Sequence, residues 1–377
     1  LNITDDGHAR LNECESLRGI AITLVFFYHF LGSLRGYGPD PHAHFATALL
    51  FGGSTGVDLF FVLSGFLLSL PFFCGSPLSL GQFFGNRALR ILPMYYVVVL
   101  AGAAWSGDWQ AALHAAVFQD IGLATLPPFG IVWWSLVVEV QFYLALPALV
   151  WLARQRWGRV VLAAVLVCLC FCYLKIASPA ASAMWAAQRN SLLGRWPQFG
   201  AGIAAAWLHY RHGAALRRMN RKKRLWLGTL VALGSLLMLD AITLRGLRLF
   251  GVWQFVHWYK HYFYSSILWA VFLLAVIDLQ PAFRKLVVNP LFHRIGQWSY
   301  SIYLWHAVFI MLVVLRLGIQ PSDARLTEYL TCLMLFVYTA GATLLVSNAT
   351  YHLIEKPFMR FKRSRLLFIG KIREEGM

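Results

Sequence analysis

Ten apolar runs, most of them about 17–21 residues long and so near the length a helix needs to cross a bilayer, leave this chain little choice of fold. They lie at 17–34, 55–73, 88–106, 132–152, 158–174, 191–208, 225–244, 261–279, 299–317 and 330–350, divided by Gly, Pro and charged residues. In hydrocarbon every backbone N–H and C=O must be satisfied internally, which admits only helices and closed barrels. Charged residues make up 13% of the chain, roughly half the share of a soluble domain, and the mean hydropathy is +0.60. A soluble enzyme, a disordered chain, a collagen-like repeat and a disulfide scaffold are thereby excluded. The prediction is an all-α polytopic membrane protein, a bundle of about ten transmembrane helices. The segment 109–126, broken by Asp120 and followed by Pro127-Pro128, reads as a re-entrant or interfacial piece.

Lys and Arg number 33 against 16 Asp and Glu, a formal charge of +17. No basic stretch alternates with aromatics as nucleic-acid stacking requires, so nucleic acid is not an expected partner. The charge instead sets topology in an anionic membrane. Twenty-two of the 33 fall on the side of the two termini, seven on the opposite side and four within the runs. Both termini are therefore expected in the cytoplasm. The basic loop 217–224 and the basic tail 359–377 read as topogenic charge touching membrane lipids, and residues 1–358 as one membrane domain. Acidic residues before the first run, and the lack of a small-residue cleavage site after it, argue against a cleavable signal. The six cysteines include Cys168, Cys170 and Cys172 fanned around one apolar run, so neither a disulfide nor a metal is expected.

Ionisable residues inside a span are costly and mark function by default. Arg18 and His29 are eleven residues apart, which places them within roughly 20° of one helix face and about 16 Å apart along the axis. Arg87 and Arg90, at i and i+3, share a face of the third helix. Three arginines at one depth with Arg18 form a candidate anion site for phosphate, with snorkelling to headgroups as the reading for each alone. Ser135 and Glu139 share a face of the fourth helix, and Glu139 reaches a depth similar to that of His29. A carboxylate beside an imidazole fixes its tautomer and stabilises the imidazolium, a general-base arrangement. Asp58 opens the second helix, where an acid either favours the dipole or serves catalysis; both readings stand. Ser64-Gly65 reads as a close-packing spot. Arg195 and His306 are candidates to line a cavity, His306 equally a structural hydrogen-bonder. Glu355-Lys356-Pro357 reads as a helix stop with a salt bridge.

These segments together resemble the acyltransferase family 3 membrane proteins, which O-acetylate sugars and other hydroxylated acceptors. Arg18 to His29 looks like the family's first-helix signature. Gly56-Val-Asp58-Leu-Phe-Phe-Val-Leu-Ser64-Gly65-Phe66 is similar to its second-helix motif, and Arg87-Ala-Leu-Arg90 to its R-x-x-R motif. Trp134-Ser135…Glu139…Phe142-Tyr143…Pro147 resembles its W-S-L-x-x-E block, with Arg195…Phe199…Gly202, Tyr300 to His306 and Glu355-Lys-Pro357 like its later signatures. The resemblance runs from about residue 14 to 358.

It implies an acyl-CoA donor, most often acetyl-CoA, taken from the cytoplasm by a multi-pass protein of the bacterial inner membrane. Arg18, Arg87 and Arg90 would then hold the CoA phosphates. His29, oriented by Glu139, would deprotonate an acceptor hydroxyl, with an acyl-histidine intermediate as the alternative route. Arg195 or Ser135 would face the oxyanion. Many members carry an SGNH hydrolase domain after the last helix; a basic stretch of about twenty residues stands there in this sequence, as in the stand-alone form. The expected acceptor is an envelope or exported glycan, with a small metabolite such as a macrolide as the alternative. The rival class is a transporter or flippase whose path these polar residues line, against which no inverted repeat is visible. Outer loops 35–54 and 245–260, the second rich in aromatics, suit either sugar stacking or an interfacial belt.

Overall fold

The computed structural model describes residues 12–35, 44–45, 48–119, 121–122, 125–175, 190–250, 258–315 and 325–360. Residues 251–257 of the loop 245–260 and residues 361–377 of the basic tail lie outside them. Among the described residues all regular structure is helical. The helices are α1 (Asn12–Arg35), α2 (Ala48–Phe51), α3 (Thr55–Phe73), α4 (Leu80–Ser106), α5 (Trp109–Ala116), α6 (Trp134–Arg154) and α7 (Arg156–Lys175). They continue with α8 (Leu192–Arg218), α9 (Arg221–Phe250), α10 (Trp258–Leu274), α11 (Arg284–Val287), α12 (Pro290–Gln297), α13 (Ser299–Ile310) and α14 (Arg325–Thr350). Single π-helical turns extend three of them, at Ala275–Leu279, Met311–Leu315 and Tyr351–Glu355.

Each of the ten apolar runs falls on a helix. Among the described residues, seven helices are long and apolar enough to cross a membrane. α8 is not among them because Arg195, Gln198 and His209 lie on its buried side, and Ser299–Val313 is apolar but short. Among the described residues of 109–126, the helix is α5, eight residues long. Gly107, at φ 75°, ends α4, and the Asp108 side chain caps α5 by accepting from the Ala111 amide at 2.9 Å. The helix stop expected at Glu355-Lys356-Pro357 is corrected: the last apolar helical stretch runs from Leu330 to Arg360.

Two compact units make up the chain. The first comprises Leu1–Pro77 and Val138–Ser299. Its core is built on Leu17, Leu59, Leu63, Phe66, Trp269 and Phe272. α3 and α8 meet backbone to backbone there. A Cβ on Gly65 would lie 2.3 Å from the Phe199 carbonyl oxygen, and one on Gly202 2.1 Å from that of Val62. Small residues allow this approach, which lets van der Waals packing hold helices together where lipid offers no hydrophobic drive. The expectation of a close-packing spot at Ser64-Gly65 is met by this contact.

The second unit comprises Leu78–Val137 and Tyr300–Met377. Tyr95 of α4 anchors it, donating to the Ala115 carbonyl at 2.7 Å, stacking on Phe118 and meeting Trp133 edge-on. Tyr300 donates to the Ile91 carbonyl at 2.9 Å and so ties α13 to α4.

Candidate active site

Asp58 is fully buried in the first unit. Its Oδ1 accepts from Arg195 Nη1 at 3.3 Å and Gln198 Nε2 at 3.0 Å, and its Oδ2 from Ser265 Oγ at 2.7 Å. These donors come from α8 and α10, so the carboxylate joins three helices rather than capping its own. Arg195, also buried, donates to the Tyr262 hydroxyl at 3.0 Å and sets its guanidinium carbon 3.7 Å from the centre of that ring. A buried charge held by opposite charge, hydrogen bonds and an aromatic face is fixed in place. Gln198, Ser265 and Tyr262 were not singled out from sequence. Their one signal is polarity within apolar runs, which hydroxyls bonded to their own helix share.

Glu139 is half-buried on α6. Its Oε1 accepts from Ser64 Oγ at 3.1 Å and from the Tyr143 hydroxyl one turn along. Among the described residues, the hydrogen bonds to Glu139 come from these two hydroxyls. His29 takes its orientation from its own helix, with Nδ1 lying 3.0 Å from the Val25 carbonyl oxygen. A carbonyl only accepts, so in the neutral ring Nδ1 carries the proton and Nε2 keeps the lone pair.

Of the arginines expected to bind phosphate, Arg18 forms an ion pair with Glu15 at 2.7 Å, one turn earlier on α1. That carboxylate offsets part of the charge expected there. Arg87 and Arg90 sit half-buried in the second unit, on α4. Arg90 Nη1 reaches Met359 Sδ at 3.8 Å, and α4 packs against the π-turn Tyr351–Glu355. Glu355, read from sequence as part of a helix stop with a salt bridge, is buried and accepts from Ser301, whose hydroxyl also receives Thr350 Oγ1 at 3.2 Å.

Two further residues of that unit are tied to backbone. Tyr303 donates to the Val132 carbonyl at 2.9 Å, and its oxygen lies 2.6 Å from Ser135 Oγ, which engages the serine expected to face an oxyanion. His306 is fully buried, with Nδ1 against the carbonyls of Ile302 and Tyr303.

One buried cluster was not anticipated. His209 Nδ1 donates to both oxygens of Asp278, at 3.0 and 2.9 Å, and Arg217 donates to the same carboxylate. Asp278 stands in the π-turn that ends α10. Among the described residues no group of three or more His, Cys, Asp or Glu is placed to hold a metal.

Comparison with known proteins gives this arrangement its context. The chain is 26% identical over 92% of its length to a peptidoglycan O-acetyltransferase, OatA, of Listeria monocytogenes. It is 23% identical over 97% of its length to a putative peptidoglycan O-acetyltransferase, YrhL, of Bacillus subtilis. It spans 55% and 58% of those two proteins. The exopolysaccharide production protein ExoZ of Rhizobium meliloti is 26% identical over 84% of this chain and 93% of its own length. No solved structure matches the chain significantly. The family model described as an acyltransferase domain matches residues 12–351, nearly every helix laid out above, and the chain belongs to that acyltransferase family.

Proposed function

We propose that this protein is a membrane O-acyltransferase that moves an acyl group, acetyl in the first instance, from acyl-CoA to a hydroxyl of a cell-envelope or exported glycan. The observation that carries the reading is the Nδ1 contact of His29 with Val25, which leaves Nε2 as the basic nitrogen of a half-buried imidazole. The relatives named for peptidoglycan O-acetylation and exopolysaccharide production support a glycan acceptor.

His29 Nε2 takes the proton of the acceptor hydroxyl as its oxygen attacks the thioester carbonyl carbon. The carbon–sulfur bond then breaks, and the leaving thiolate takes the proton back from the imidazolium. Glu139, held by Ser64 and Tyr143, stabilises that imidazolium by its charge, while the choice of tautomer belongs to Val25. Arg195, fixed by Asp58 and Tyr262, supplies positive charge for the oxyanion. Arg18, Arg87 and Arg90 bind the CoA phosphates, Arg18 with its charge tempered by Glu15. Residues 1–358 form the working membrane domain, both ends face the cytoplasm of a bacterial inner membrane, and about ten helices span it.

The test is acetyl-CoA binding and acceptor-dependent CoA release by purified protein, with His29→Ala and Arg90→Ala beside wild type. Binding without turnover in His29→Ala, and weakened binding in Arg90→Ala, is the expected pattern. A wild type that ignores acetyl-CoA and other acyl-CoAs overturns the donor assignment.

A further inference from the structure

The seven cations between Arg211 and Arg224 fall into two kinds in the folded chain. Two of them build the protein. Arg217 donates to the buried carboxylate of Asp278. Arg224 donates to the Arg217 carbonyl at 2.7 Å and to Gln280 Oε1 at 3.2 Å. Thr229 Oγ1 accepts from the Ala282 amide at 2.9 Å, and Gly228 packs so closely on Leu279 that a Cβ would come within 2.8 Å. The turn between α8 and α9 is thereby clamped to the end of α10.

The other five, Arg211, Arg218, Arg221, Lys222 and Lys223, are exposed. The stretch 192–239 contains no Asp or Glu to balance them. Their placement along the helices is ordered. On α9, Lys222, Trp226, Leu230, Leu233 and Leu237 recur at helical spacing on one face. Trp226 and Leu230 are 73% and 72% exposed, and the two leucines beyond are also open. On α8, Trp207 and Tyr210 stand exposed just before Arg211. Apolar side chains, then indole and phenol rings, then cations: a bilayer presents the complementary order of acyl chain, interface and phosphate.

We propose that the α8–α9 turn is a preformed docking surface for anionic phospholipid, with the headgroup phosphate held by Arg218, Arg221 and Lys222 and the acyl chains lying along the Trp226–Leu237 face. The clamp to Asp278 and Gln280 fixes the backbone that carries the cations, so binding has only their side chains to order, which favours occupancy. Topogenic charge alone requires neither the clamp nor the aromatic tier.

The experiment compares thermal unfolding of the full chain in phosphatidylcholine nanodiscs, with and without phosphatidylglycerol. The wild type is expected to gain several degrees from the anionic lipid. The R218Q/R221Q/K222Q variant should lose most of that gain, while R156Q/R159Q/K285Q, which removes the same charge elsewhere, should keep it. Because each variant is its own reference, a change in basal stability does not enter the comparison. No gain in wild type, an undiminished gain in the first variant, or an equal loss in the second would each overturn the proposal. So would the same gain from inorganic phosphate added to neutral nanodiscs, which would assign the site to a free anion.

Discussion

His29 Nδ1 and the Val25 carbonyl oxygen lie 3.0 Å apart, one turn from each other on the same helix. That backbone carbonyl accepts only, so it assigns the Nδ1 proton of the neutral ring. Replacing His29 with Ala is expected to lower acyl transfer by about 10²- to 10⁴-fold, the usual worth of a positioned general base, and to leave acetyl-CoA binding in place. Calorimetry alongside CoA release separates the two. Loss of binding together with turnover would move His29 out of the catalytic role.

Asp58 and Arg195 form a buried ion pair, and removing one partner strands the other. Asp58→Ala is expected to destabilise by about 3–5 kcal/mol. Asp58→Ala with Arg195→Met, which removes both charges, should recover much of that. Unfolding in detergent, followed by tryptophan fluorescence, reads both. A double variant no more stable than Asp58→Ala would show that packing, and not charge, is what Asp58 provides.

Ser64 and Tyr143 deliver their hydrogen bonds to the same oxygen of Glu139. Losing a hydrogen bond to a charged group costs about 1.5–3 kcal/mol, so Ser64→Ala with Tyr143→Phe should reduce turnover about tenfold or more. The KM for acyl-CoA should hold steady. A rise in that KM with unchanged turnover would place Glu139 in donor binding.

Glu355 is buried and accepts from Ser301, while its neighbour Lys356 is half-buried. Glu355→Ala leaves the buried Ser301 hydroxyl without its acceptor and should cost about 1–3 kcal/mol. Lys356→Ala should stay within about 0.5 kcal/mol of wild type. Melting temperatures of the two variants, measured side by side, decide it.

The helices were legible in the sequence because their signal is local: each apolar run carries its own length and its own breaks. The partners of the polar residues were not. Asp58 is 137 positions from Arg195 and 207 from Ser265, so no single run could decide between a dipole-favouring acid and an interhelical one. Depth matching set Glu139 level with His29, yet depth fixes one coordinate of three, and it gave no sign of the Ser64 and Tyr143 hydroxyls on the same carboxylate. Glu355 read as half of a salt bridge at a helix stop because Lys356 and Pro357 follow it. The π-turn that it closes alters the helical phase on which such a reading depends. Asp278 ended an apolar run beside a basic loop, and only the fold brings His209 to it.

That phase change has a genetic corollary. A π-turn holds one residue more than the α-helical turn it replaces, so it accommodates an insertion within an otherwise regular helix. Deleting a single residue from 275–279 could restore regular winding to α10, with no helix lost and no apolar residue exposed to water. The residues beyond the turn would keep the faces they already present, while the turn itself, where Asp278 meets His209 and Arg217, would be rewound. In this stretch an in-frame deletion of one codon is therefore expected to do more harm than most substitutions, while leaving a hydropathy profile nearly indistinguishable from the original.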